Sequence, residues 1–257
     1  MRALLLAVIA AAAGATAVAA EIAPADRRSG YNFAGPESRA MQDDDAANPG
    51  MLGVLQGETL WATPAGTAGR SCADCHGDAR AGMKGVAGRY PVFEQVLGRP
   101  LDLEMRINRC RTEHQGAAPF AWESEDLLAL TVFVSHQSRG QAIAPGDGAE
   151  LRPFVDLGSA LFRRRQGQLN LSCSRCHDDN WGKRLAGAVI PQAHPTGYPV
   201  YRLEWQSLGS LQRRLRNCMI GVRAEPYEYG APEAVALELY LMKRARGMPL
   251  ETPAVRP

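Results

Sequence analysis

The pentapeptide Cys72-Ala73-Asp74-Cys75-His76 returns as Cys173-Ser174-Arg175-Cys176-His177 in the second half of a 257-residue chain. C-x-x-C-H is the attachment signature of c-type haem. Two thiols add across the two vinyl groups of one porphyrin, and two intervening residues let both sulfurs reach it. The adjacent histidine is then held under the iron as its proximal ligand. The competing readings are a zinc site and a thioredoxin-like redox pair. Zinc needs four ligands gathered per site, and a redox C-x-x-C does not call for a following histidine. The doubled motif therefore predicts two covalently bound haem c groups. One is held through Cys72 and Cys75 with His76 on iron, the other through Cys173 and Cys176 with His177 on iron.

Working outward, the flanks repeat as well. Gly57-Glu58-Thr59-Leu60-Trp61 precedes the first motif and Gly158-Ser159-Ala160-Leu161-Phe162 the second, both 101 residues apart (158 − 57 and 173 − 72). Beyond the motifs, Tyr90-Pro91-Val92-Phe93 matches Tyr198-Pro199-Val200-Tyr201, and Arg106-Ile107-Asn108-Arg109-Cys110 matches Arg214-Leu215-Arg216-Asn217-Cys218. These pairs are 108 apart (198 − 90 and 218 − 110), so the second half carries seven extra residues, expected around Pro191-Gln192-Ala193-His194-Pro195. Each half reads as helix, haem motif, loop, helix, loop, helix. Tyr-Pro marks a break before the middle helix. The last helix starts after Ser124-Glu125-Asp126 or Pro232-Glu233, and is expected to end at Gly140 or Gly247. No run shows sustained strand alternation. The expected fold is all-α, a tandem pair of cytochrome c-like domains with an N-terminal extension.

Met1-Arg2 followed by an apolar run and Ala17-Val18-Ala19-Ala20 has the form of a secretory signal, cleaved at Ala19 or Ala20. No later segment is long and apolar enough to span a bilayer, so the mature protein is expected to be exported to the periplasm with no membrane span. The expected divisions are a signal at 1–20, an Asp-rich extension at 21–49, a first haem domain at 50–141, a Pro- and Gly-rich linker at 142–153 and a second haem domain at 154–257. The formal net charge of +2 includes Arg2, which leaves with the signal, and nothing in the charge pattern suggests nucleic acid.

Cys110 and Cys218 are left over. In an exported chain a disulfide between them is the ordinary reading. Their equivalent repeat positions favour another: each faces its own haem and supplies a thiolate sixth ligand. Met105, Met219 and Met248 are rival ligands, but none is matched between the halves, and His114, His136 and His194 have no repeat partners either. Thiolate donation would favour ferric iron and low potentials.

The two C-x-x-C-H motifs, the Tyr-Pro-Val segments, the two segments ending in Cys110 and Cys218, and Leu239-Tyr240-Leu241 running into Arg246-Gly247 resemble the SoxA family of dihaem cytochromes c. The likeness runs from about Gly50 to the end of the chain. It implies a SoxX-like monohaem cytochrome c as partner in a heterodimer. It also implies oxidative coupling of thiosulfate to a cysteine of a SoxYZ-like carrier, an L-cysteine S-thiosulfotransferase activity that releases two electrons. By the same resemblance the second haem is the catalytic one, and Cys218 corresponds to the ligand cysteine that the family modifies to a persulfide. The residues suit this chemistry, because thiosulfate is a dianion and Arg214 lies one helical turn before Cys218. Arg106 precedes Cys110 in the same way, so Arg214 either binds substrate or meets a haem propionate. Arg223 has no first-half twin and is a second candidate. Arg202, Arg213 and Arg216 add local charge, and Lys243 or Arg244 is a further candidate to face the site. The alternatives are a dihaem cytochrome that only transfers electrons and a dihaem peroxidase. The second would need an open iron site.

Overall fold

The computed structural model describes residues 22–185 and 187–257. The segment read as a secretory signal lies outside the described residues. Among those described, no helix is long and apolar enough to cross a membrane.

The elements follow the repeat. Helix α1 (Pro36–Asp43) belongs to the N-terminal extension. The first half then runs α2 (Gly50–Ala62), the motif helix α3 (Cys72–His76), α4 (Ala79–Gly82), strands β1 (Val92–Glu94) and β2 (Arg99–Leu101), α5 (Leu103–Cys110) and α6 (Glu125–His136). The second half runs α7 (Arg152–Arg163), the motif helix α8 (Cys173–His177), strands β3 (Arg184–Leu185), β4 (Ala188–Val189), β5 (Val200–Arg202) and β6 (Ser207–Gly209), then α9 (Leu211–Gly221), α10 (Pro232–Arg244) and strand β7 (Ala254–Arg256).

Within each half the first helix crosses the last, α2 on α6 and α7 on α10. The repeat-equivalent Gly57 and Gly158 sit at these crossings. A Cβ there would collide with the carbonyl of Ala129 or Ala236, so only glycine permits the close approach. Ser124 caps α6 by accepting from the Leu127 N–H. The helix ends at His136 and its twin α10 at Arg244. The glycines expected to stop them, Gly140 and Gly247, come a turn later. Both have positive φ, and each turns the chain into hydrogen bonds with the opposite segment, Gly140 N–H to Leu250 and Gly247 N–H to Ile143.

The helical architecture holds, with small sheets added. Both Tyr-Pro segments, whose peptide bonds are cis, open antiparallel hairpins, β1–β2 and β5–β6. β7 joins β5 in parallel. At two or three residues each, these strands are too short to show alternation in sequence. The halves also share a core. Val54, Trp61, Val132 and Phe133 of the first cluster with Met242, Ala245 and Leu250 of the second.

The extension packs on the C-terminal segment and on the loop that follows the second motif. Asn48 donates to the Pro253 carbonyl (2.9 Å), and Gln42 accepts from the Val255 N–H (3.2 Å). Fully buried Gln192 accepts from the Arg28 N–H (2.6 Å) and donates to the Asp26 carbonyl (3.1 Å), while His194 Nδ1 bonds to the Arg28 carbonyl (2.9 Å). These residues fall in the stretch where the repeat offset places the extra length of the second half. Around it the second half also forms the β3–β4 hairpin.

Candidate functional site: two haem-motif pockets

Each motif begins at a serine cap. Ser71 accepts from the Asp74 N–H and Ser172 from the Arg175 N–H, so both motif helices start in the same register. In the first half, Cys72, Cys75, His76 and Cys110 all line one cavity of about 340 Å³. Trp61 packs beside His76, with ring centroids 5.6 Å apart, and donates its indole N–H to the Gly77 carbonyl (3.1 Å). The remaining wall is largely apolar and includes Met83, a residue that the repeat pattern does not mark. Two thiols, an imidazole and a third sulfur around one largely apolar cavity suit a covalently anchored haem that a further thiolate could ligate.

No disulfide joins Cys110 to Cys218, and of the two only Cys110 lines the first-half cavity. Cys110 lies close enough to Cys72 and Cys75 to interact with both. Cys218 does the same with Cys173 and Cys176. His177 faces Cys218, and its Nδ1 bonds to the Pro191 carbonyl (2.6 Å) in the loop held by the extension. That bond sets the ring's tautomer and leaves Nε2 for a metal. No hydrogen bond among the described residues fixes the His76 ring in the same way.

The electrostatics of the two pockets diverge. Burial pushes the Cys110 thiol up, and the nearby Arg106 only partly offsets it. Burial also acts on Cys218, but there a hydrogen bond from His177 and the charges of Arg214 and Arg202 outweigh it, so the thiol sits below its ordinary value. The difference starts with the arginine one turn earlier. Arg106 Nη2 donates to Glu94 (2.5 Å), which also lies 3.2 Å from Arg109. Arg214 has no carboxylate within ion-pair distance among the described residues. For Arg214, burial works against the charge, and the neighbouring Cys218, Tyr198 and Glu204 together outweigh it.

The other basic residues separate by position. Arg213 stacks on Trp205 (4.2 Å), and Arg216 on Tyr229 (4.6 Å) while it donates to the Tyr227 carbonyl. Arg223 has φ +58° just past α9, and its Nη1 reaches Gln168 (3.4 Å). With Arg164, Tyr227 and Glu228 it lines an open groove of about 760 Å³. Lys243 ties down the linker through Asp147 (2.6 Å). Arg244 makes a buried ion pair with Asp178 (2.6 Å), the residue after His177, and lies over Phe162 (4.6 Å). In the sequence, the role of Arg202 is not separable from the general positive charge. The one signal it carries there is its position, because the residue 108 earlier is Glu94.

A family model described as SoxA/TsdA, cytochrome c domain, matches residues 56–143 and again 157–250. The chain belongs to this family. Haem c is the cofactor that a cytochrome c domain implies. The chain is 40% identical over 230 residues to the L-cysteine S-thiosulfotransferase subunit SoxA of Pseudaminobacter salicylatoxidans, covering 89% of this chain and 80% of that protein. It is 32% identical to the subunit of the same name from Paracoccus pantotrophus, covering 89% and 78%. The crystal structure of SoxXA from P. pantotrophus superposes with a TM-score of 0.86 at 31% identity, covering 90% of this chain and 87% of that one. As SoxA/TsdA-family cytochrome c domains, the two matched segments coincide with the two repeats read from the sequence.

Proposed function

We propose that this chain is the SoxA-type subunit of a periplasmic L-cysteine S-thiosulfotransferase. It works with a SoxX-like monohaem cytochrome c as a heterodimer and carries two covalent haem c groups. The first would be held by Cys72 and Cys75 with His76 and Cys110 as iron ligands. The second would be held by Cys173 and Cys176 with His177 and Cys218 as iron ligands. The signal, extension, first haem domain, linker and second haem domain follow the divisions read from the sequence, and catalysis belongs to the second haem domain.

The observation that carries this reading is Arg214, one turn before Cys218 with no carboxylate in ion-pair range among the described residues, where its first-half twin Arg106 is held by Glu94 at 2.5 Å. An uncompensated guanidinium in a half-buried site favours an anion. Thiosulfate binds there by its charge, and Arg223 stands at the groove through which a SoxYZ-like carrier presents its cysteine. The reaction forms one S–S bond, between the carrier sulfur and the outer sulfur of thiosulfate. The carrier thiol loses its proton, two electrons leave, and the product is a cysteine S-thiosulfonate. Haem held by His177 and Cys218 would supply one-electron acceptance, with SoxX as onward acceptor. Cys218 either holds thiosulfate beside the carrier thiol or bonds transiently to its outer sulfur as the two electrons leave, and is then displaced as thiolate when the carrier thiolate takes the intact thiosulfate group. Pro191 holds the His177 ring in place, and Arg214 holds the anion against the thiolate side.

The test is steady-state turnover of the reconstituted complex with carrier and thiosulfate. Cys218→Ala should abolish coupling while mass spectrometry still finds both haems attached. Cys110→Ala should keep most of the activity. Near-normal turnover in Cys218→Ala would refute the assignment.

A further inference from the structure

Glu94 and Arg202 occupy the same place in the two repeats, at the end of β1 and of β5. In the first half the carboxylate neutralises the helix that carries Cys110, taking Arg106 at 2.5 Å and Arg109 at 3.2 Å. In the second half the charge at this place is reversed. The Arg202 side chain is 13% exposed, and its one carboxylate partner, Glu204 at 3.1 Å, is itself half exposed. The Arg202 Nε is buried with no hydrogen-bond partner. The guanidinium lies over Trp205 at 5.1 Å, which restricts how far it can swing away. Arg202 and Arg214 are near enough to repel each other, and both act on Cys218. A buried donor without an acceptor is costly, and so are two like charges held together in a half-buried site. A bound dianion relieves both, whereas in the first half Glu94 already lies against both Arg106 and Arg109.

We propose that Arg202 is the second guanidinium of the thiosulfate site, binding the sulfonate oxygens together with Arg214, and that exchange of Glu94 for Arg202 between the repeats is what makes one pocket selective for a dianion. This rests on the function proposed above. Two forked guanidiniums match a three-oxygen dianionic head, and a single arginine would also serve a monoanion or a haem propionate.

The experiment is thiosulfate binding to the oxidised holocomplex without carrier, followed by calorimetry, with KM and kcat measured alongside. Arg202→Gln should weaken thiosulfate binding about tenfold or more, the scale of one charge-assisted hydrogen bond. It should raise KM more than it lowers kcat, and Arg202→Lys should restore part of the affinity. The haem absorption spectrum of each variant should match the wild type, which separates lost binding from lost structure. Wild-type affinity in Arg202→Gln would overturn the role of Arg202 alone. A wild-type complex that neither binds thiosulfate nor turns it over with carrier present would overturn the functional reading beneath it.

Discussion

In the first half of this molecule the helix that offers a cysteine to the haem pocket is neutralised by a carboxylate. In the second half the same helix is left positive. The scaffolds are otherwise closely alike, with a glycine-mediated helix crossing, a serine-capped motif helix, a Tyr-Pro hairpin and an arginine one turn before the cysteine. On the function proposed above, what separates a site that holds only a cofactor from one that also holds an anion is the pairing of a few charges. The second pocket has a further difference, because its motif histidine is pinned by Pro191 in a loop that Gln192 ties to the extension.

The largest effect that should break this symmetry, after loss of Cys218 itself, lies in the paired arginines. Arg214→Ala should lower kcat/KM for thiosulfate by about tenfold to a hundredfold, corresponding to about 1.5–3 kcal/mol for a hydrogen bond to a charged group. Arg106→Ala should leave turnover near the wild-type value. Equal losses in the two variants would mean that both arginines serve the haems alone.

A smaller effect should come from the strap. Gln192→Ala leaves the Arg28 N–H and the Asp26 carbonyl without partners and loosens the loop behind His177. A weaker hydrogen bond at Nδ1 makes the imidazole a poorer donor to iron, so the second haem's potential should rise while the first is unchanged. Redox titration of the holoprotein, following the two haems separately, reads this directly. Equal shifts at both haems would contradict a local role.

The smallest effect concerns the seam between the halves. Asp102, the N-cap of α5, accepts from Gln212 of α9 (2.7 Å), which also reaches Glu238 of α10 (3.3 Å). Glu104, Glu123 and Arg99 are the other charges that act on this group. Burial holds Asp102, Glu104 and Glu238 above the ordinary carboxylate range, so the folded state keeps protons that the unfolded chain loses from about pH 4 upward. Stability should be fully present below that range and fall as pH rises through neutrality. Glu238→Gln should flatten the fall, measured as Tm against pH. A Tm that rises with pH across this range in the wild type would contradict the assignment.

Much of the contrast between the halves is legible in the amino-acid sequence. The repeat locates both motifs, both spare cysteines and the helices that carry them, because helical spacing and C-x-x-C-H leave long, regular signatures. The short strands leave none, and the offset that pairs Arg202 with Glu94 gains physical meaning only once the structure shows Glu94 against Arg106 and Arg202 near Arg214. Which arginines are spent on Trp205, Tyr229 or Asp178 depends on tertiary neighbours. So does the burial of Gln192 and Glu104, two polar residues that a local pattern would leave at the surface.

The most direct test of the central claim is the spectral change on adding thiosulfate to the ferric holocomplex without carrier, followed by electron paramagnetic resonance. Cys110→Ala and Cys218→Ala assign the signals of each haem. The change should be confined to the second haem's signals, persist in Cys110→Ala and vanish in Cys218→Ala. A response at the first haem, or one that survives in Cys218→Ala, would contradict the assignment of substrate binding to the second pocket.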